Sequence, residues 1–431
     1  MALPALRTAA LRAPRAVRNY ATASVLEANG VKVASIDEGA PTASISVVVK
    51  AGSRYEPAPG VAHVLKNSLF KGTNKRSQIA LVRETEALGG VLSTSLSREH
   101  LVLTAEFLKG DEDYFAEALG AAITEAKFPL HEYNEEVVPQ VQAEYEQAIH
   151  NSPVYALDLA HQLAFRKGLG NSLFASPHTA VDHSTAVSFA KASFAPSNLA
   201  VFGSNVEAGK LQSLVSQFFT SGSTASSSIS TPASQYFGGE VRVPSVGHAA
   251  LDQLLIAFQG AASTEVEWAV LRYLLGGEVA VKWGASATPL AKLKSATSTA
   301  QAFNLGYSDA GLFGIAVQAK SADVSDVAQK AIAALKEVAN GASDEAVKQA
   351  VAKAKFAAAS ALETREGQVA AVGEAVASRG QAPSLEELFS KLDKVSSQSL
   401  AKAASSALSS KPTTVAVGNT HVLPYADSLG L

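Results

Sequence analysis

The stretch GVAHVLKNSLFKGTNKRS, residues 60–77, sets the frame for the whole chain. Its centre, AHVLKNSLFKG (62–72), is an apolar helical segment closing on glycine. It follows ASISVVVKAG (43–52), a β-branched run that also ends at a glycine, so a buried strand leads into a helix. Within that helix His63, Lys66 and Asn67 stand three and four positions apart, a spacing that places polar side chains on one helix face.

Working outward, the same grammar recurs in the second half. ALDQLLIAFQG (250–260) is an apolar run ending at glycine, and EWAVLRYLLGG (267–277) is a helical stretch closing on glycine. Each half then gives a strand, a lysine and a helix with acidic residues in its first turn: LVLTAEFLKGDEDYFAEALGAAI (101–123) and GLFGIAVQAKSADVSDVAQKAIAAL (311–335). Acids there suit the positive end of the helix dipole. Each half finishes on a short strand after a proline, NLAVFGS (198–204) and TTVAVGN (413–419). Two further helices are predicted over HEYNEEVVPQVQAEYEQAIHN (131–151) and SDEAVKQAVAKAKFAAASALE (343–363), the second opening on a Ser–Asp–Glu start signal. Between the halves lies TSGSTASSSISTPASQ (220–235), uncharged and too poor in apolar groups to fold alone. The predicted fold class is α+β: two homologous domains of mixed β-sheet packed with helices, residues 21–219 and 237–431, joined by a Ser/Thr-rich linker at 220–236.

Composition narrows the chemistry. The 431 residues include no cysteine, which excludes disulfides, thiolate metal sites and a cysteine nucleophile; any metal would need histidine and carboxylate ligands. A net charge of −3 with 17% charged residues gives no bulk-basic signal for nucleic acid. No run approaches the ~18 uninterrupted apolar residues of a membrane helix, so membrane contact is expected only through partners or at the surface. The first residues carry Arg7, Arg12, Arg15 and Arg18 with no acid before Glu27. That composition fits a mitochondrial transit peptide over residues 1–20. RNYA (18–21) resembles a matrix-peptidase cleavage site, so the mature chain is expected to begin near Ala21.

Residues 60–77 resemble the zinc helix of the inverted-zincin peptidases (family M16), whose motif is H-x-x-E-H; the flanking A-H-x-L and F-K-G-T match that family closely. In it two histidines on one helix face ligate zinc, the glutamate between them takes a proton from zinc-bound water, and a later glutamate completes the shell. The resemblance places His63 at the first histidine, Lys66 at the general base and Asn67 at the second histidine. Glu144 falls at the distal glutamate, with Glu146 a weaker candidate, both placed by aligning the H-x-x-A-aromatic segment His161 to Phe165. An amide is a poor zinc ligand and a protonated lysine repels a dication. Structural zinc held by four ligands is worth about 10–16 kcal/mol, so one lost ligand costs on the order of 3 kcal/mol. The expectation is no catalytic residue, no cofactor and no metal, with His63, Lys66, Asn67 and Glu144 as degenerate zinc-site positions. Elsewhere HEYNE (131–135) matches H-E-x-x-H only in its first half, and His178 and His183 flank PHTAVDH, expected to be a solvated turn.

The family resemblance spans the mature chain and implies two facing, bowl-like domains. VKWGASATPLAKLKSAT (281–297), AQAFNLGYSDAGLFGIAVQAKSADV (300–324) and the C-terminal VAVGNTHVLPYADSLGL resemble most closely the non-peptidase branch of the family, the core subunits of respiratory complex III. That branch implies a structural role in the dimeric complex, peripheral on the matrix side of the mitochondrial inner membrane. Its implied partners are a sister subunit (core protein 1), cytochrome b, cytochrome c1 and the Rieske subunit. The runner-up is a subunit of a processing-peptidase-type zinc peptidase. Such subunits carry a glycine-rich loop for presequences, but LLGGEVAVKWGASATP (274–289) holds only a Gly–Gly pair and one further glycine.

Overall fold

The computed structural model describes residues 23–179, 181–220, 229–247, 251–278 and 287–431. The leader, residues 221–228 of the serine-rich stretch and residues 279–286 of the glycine-poor loop lie outside that description.

Among the described residues six strands form the first sheet: β1 (Ser24–Ala28), β2 (Val31–Ile36), β3 (Thr42–Val49), β4 (Val91–Leu96), β5 (Leu101–Leu108) and β6 (Leu199–Ser204), in the order β1-β2-β6-β3-β5-β4. Five form the second: β7 (Gly239–Val243), β8 (Asp252–Gly260), β9 (Ser298–Gly306), β10 (Gly311–Ala319) and β11 (Thr413–Val417), in the order β7-β11-β8-β10-β9. Omitting β1, the two orders superpose strand for strand. Each sheet has one parallel pair, β2 with β6 and β7 with β11, in the same place; the other pairs are antiparallel. The duplication is thus one of topology as well as sequence.

The helices in chain order are α1 (Val61–Ser68), α2 (Gln78–Ala87), α3 (Glu112–Thr124), α4 (residues 130–150), α5 (Ser152–Phe165), α6 (His183–Ser193), α7 (Ala208–Phe218), α8 (Val266–Leu275), α9 (Val324–Asn340), α10 (Asp344–Ala361), α11 (residues 365–379), α12 (Leu385–Asp393) and α13 (Ser397–Ser409). Five-residue π turns interrupt α4 at Tyr133–Val137 and α11 at Val369–Gly373. Ser343 caps α10 by accepting from the Ala346 N–H, as its start signal requires.

One face of each sheet carries the main core. In the first half Phe115, Leu119, Leu211 and Val215 pack on Ile45, Val47, Leu103 and Val201; in the second Leu271, Leu275, Leu335 and Leu400 pack on Ile256, Phe258, Ile315 and Val317. The opposite faces are covered by exchange. Helix α5, from the first half, lays the fully buried stripe Ala156, Ala160 and Ala164 against Leu255, Ala257, Val415 and Val417 of the second sheet. Helix α11, from the second half, sets Val369, Val372 and Val376 on Ala34, Val48, Ala200 and Phe202 of the first. A Cβ on Gly373 would stand 3.2 Å from Val48 Cγ2.

The segment after residue 228 does not run free. Ile229 N–H donates to Asn198 Oδ1 at 3.2 Å, and Phe237 N–H to the Ala164 carbonyl at 2.8 Å. The Tyr236 hydroxyl pairs with Thr413 Oγ1 at 2.8 Å. A polar composition marked this segment as a linker, yet its hydrogen-bonding groups fasten it to both halves. His183 also departs from the solvated-turn expectation. It begins α6, half-buried, with Nε2 2.8 Å from the Phe128 carbonyl and its ring edge-on to Tyr133.

Candidate functional site

Helix α1 starts where Gly60 takes φ of +87°, a conformation that favours glycine; a Cβ there would also stand 2.5 Å from Ala175 Cβ. The Glu56 carboxyl accepts the Ala62 N–H at 3.1 Å, satisfying one of the helix's orphan donors. Its other oxygen is buried without a partner, and burial pushes the Glu56 pKa up to about 7. The helix is short, so its inward face is fixed by its neighbours. Val61, Ala62 and Leu65 enter the core, while His63 and Asn67 are buried on the side facing α4.

His63, Lys66, Asn67 and Glu144 converge on one atom. Glu144 Oε2 lies 2.5 Å from His63 Nε2, 2.7 Å from Lys66 Nζ and 3.2 Å from Asn67 Nδ2. Its other oxygen accepts from Gln140 Nε2 at 3.4 Å. Burial opposes ionisation of Glu144, but the hydrogen bonds from His63, Lys66 and Asn67 and the Lys66 charge outweigh it. Its pKa falls to about 2. Glu146 is exposed and takes no part in the cluster.

His63 is held in one tautomer. The Ala175 N–H donates to Nδ1 at 3.0 Å, so Nδ1 offers its lone pair inward and Nε2 carries the hydrogen that it gives to Glu144. The Phe174 ring meets the imidazole edge-on at 5.8 Å. Both nitrogen positions are therefore committed within the protein. Asn67 Nδ2 also donates back to the His63 carbonyl at 3.3 Å.

This donor set does not fit a zinc ion. The carboxylate already holds an ammonium, the imidazole presents a hydrogen and not a lone pair to the shared centre, and Asn67 turns its amide nitrogen there. Among the described residues no group of three or more His, Asp or Glu side chains is arranged to hold a metal. The cluster contains no free base able to take a proton from water. What the arrangement does is tie α1 to α4 through one carboxylate.

Sequence reasoning found the four converging side chains but not Ala175, Phe174, Gln140 or Glu56. The first three come from backbone approach and helix register, which leave no composition signal. Glu56 stands four positions before the Gly60 N-cap, where no capping pattern would place it, so the loop's fold and not its composition brings it to Ala62.

Residues 32–176 match the family model described as insulinase (peptidase family M16), and residues 180–354 match that of the peptidase M16 inactive domain. The chain is similar to the mitochondrial cytochrome b-c1 complex subunit 2 of Cryptococcus neoformans, 45% identical with 95% of each chain covered. The Neurospora crassa subunit 2 is 40% identical, covering 93% of this chain and 90% of its own. The human subunit 2 is 29% identical over the same shares, 93% and 90%.

Proposed function

The chain belongs to the M16 family of insulinase-type peptidases, and from that premise we propose that it is a non-catalytic structural subunit of respiratory complex III, filling the subunit 2 (core protein 2) position. The observation that carries this reading is the convergence of Lys66 on Glu144 at 2.7 Å, beside a His63 whose Nε2 donates to the same oxygen. A peptidase site needs a carboxylate free to bind metal and a second one free to accept a proton; here the first is neutralised and the second is a lysine. Full-length similarity to subunits of the cytochrome b-c1 complex supports the assignment.

In this role the chain carries no electrons. It contributes buried interface and shape to a complex whose haems and iron–sulfur cluster sit in other subunits. Its partners are core protein 1, cytochrome b, cytochrome c1 and the Rieske subunit. Its place is peripheral, on the matrix side of the mitochondrial inner membrane, after removal of residues 1–20. The duplicated units are 21–219 and 237–431. No helix among the described residues is long and apolar enough to cross a membrane, which agrees with attachment through partners.

The test is purification of the native assembly after mild detergent extraction, with haem spectra, subunit mass spectrometry and zinc analysis on one sample. Co-purification with b- and c-type haems and negligible zinc in this chain is the expected result. Recovery without haem partners, or stoichiometric zinc with chelator-sensitive cleavage of presequence peptides, would favour the processing-peptidase reading.

A further inference from the structure

The exchange of α5 and α11 already joins the two halves by apolar packing, which is non-directional, so a single relative orientation needs contacts of fixed geometry as well. Here the tip of the β9–β10 hairpin, residues 307–310, reaches out of the second half into a socket of the first. Successive residues of the tip make separate contacts. The Tyr307 hydroxyl meets His161 Nε2 at 2.7 Å. His161 donates its Nδ1 hydrogen to the Leu157 carbonyl at 2.7 Å, so Nε2 is the acceptor and Tyr307 the donor. The Ser308 N–H donates to Glu99 Oε2 at 3.0 Å and its hydroxyl to Glu99 Oε1 at 2.5 Å. Asp309 receives both prongs of the Arg54 guanidinium, at 2.8 and 2.6 Å.

Arg54 is the centre of the socket. Its side chain is 5% exposed and also holds Glu99 at 2.7 Å. Its Nε donates to Thr231 Oγ1 at 3.2 Å, while Asp309 accepts from both the backbone and the hydroxyl of Ser234, at 2.9 and 3.1 Å. One guanidinium therefore gathers the first half, the hairpin tip and the connecting segment. Farther along, Arg166 sits at the end of α5 with φ of +60°, uncommon for a residue with a side chain. Its guanidinium stacks on the Phe237 ring with 4.0 Å to the centroid, pinning the same segment at its far end.

We infer that the β9–β10 tip and the Arg54 socket form a bolt that, added to the exchanged helices α5 and α11, fixes the two halves in a single relative orientation and makes the chain one rigid body. The inference holds whatever the chain assembles with, because every contact lies within it.

The chain lacks cysteine, so Glu86→Cys with Lys348→Cys places one spin label on an exposed helix position of each half in the full-length protein. Electron–electron distance measurements on the otherwise unaltered chain are expected to give one narrow distribution. Asp309→Ala and Arg54→Lys, each added to the labelled chain, are expected to broaden that single peak while far-ultraviolet circular dichroism is unchanged. A broad or bimodal distribution in the unaltered chain overturns the inference outright. So does a distribution whose width is unchanged in both variants. Should Arg54→Lys fail to fold, Asp309→Ala, at a side chain 29% exposed, decides the matter alone.

Discussion

Arg54 and Asp309 stand 255 positions apart in the chain and meet side by side, Nη1 to Oδ1 at 2.8 Å and Nη2 to Oδ2 at 2.6 Å. The forked geometry is one that arginine alone among side chains can supply. Burial works against both charges, but the pairing outweighs it: the Arg54 pKa is raised and the Asp309 pKa lowered.

Removing Arg54 takes its charge from the buried Glu99 and the partly exposed Asp309, which keep their hydrogen bonds from Ser308 and Ser234. Arg54→Ala is expected to cost about 3 kcal/mol, the low end for breaking a buried pair, because both carboxylates keep other donors. Arg54→Lys keeps the charge and loses the fork, so it should fall between. Urea unfolding followed by circular dichroism ranks the three proteins; equal midpoints for all would remove the pair from any account of stability.

The zinc helix offers a gain-of-binding test. With Lys66→Glu and Asn67→His together, Glu144 is released from its ammonium and an imidazole replaces an amide. Partial zinc binding is expected in titration calorimetry, and none in the unaltered chain. Lys66→Glu alone crowds two carboxylates without a second imidazole and should bind more weakly than the double variant. Zinc uptake by the unaltered chain with micromolar affinity would contradict the geometry described for His63.

Two carboxyls make opposite pH signatures. Glu144 has a folded pKa of about 2, below its ordinary 4.5, so the stability it contributes is complete above 4.5 and is lost as pH falls toward 2. Glu56 has a folded pKa of about 7, above 4.5, so the folded state holds the extra proton between those values and loses stability as pH rises through 7. Glu56→Gln removes that ionisable group. Its stability relative to the parent is expected to improve from pH 5 to pH 8, in unfolding curves taken across that range. A difference that stays flat with pH would refute the buried-acid account.

The exchanged helix α11 makes a remote prediction. Val376 is fully buried against the first sheet although it belongs to the second half. Val376→Ala is expected to cost about 2 kcal/mol, the effect of two lost methyl groups and the cavity they leave. Its hydrogen-exchange signature should fall on β3 and β6. Loss of protection confined to the second sheet would be inconsistent with the exchange.

Much of this was legible in the residues. The strand–helix–strand grammar, repeated with glycines and acids in step, predicts two like sheets, and the two strand orders agree. The spacing of His63, Lys66 and Asn67 predicts a shared helix face, and the family resemblance, aligned on His161 to Phe165, reaches Glu144. Periodicity, however, says that a face is buried and not what buries it. The alanine stripe of α5 announces close packing without naming the second sheet as its target. The Ser/Thr-rich stretch reads as free chain because its hydroxyls carry no sign of their partners, Arg54 and Asp309. The π turns in α4 and α11 likewise depend on tertiary packing.

The exchange of α5 and α11 sets the order in which this protein can be completed. On a ribosome, β6 ends at Ser204 while the helix that covers its sheet ends at Arg379. At roughly 5–20 residues per second the nascent chain waits on the order of ten to thirty seconds with Val48 and Phe202 bare. A translation product stopped between those points presents an uncovered apolar sheet to its surroundings, and is a client for holdases and proteases until its last third arrives.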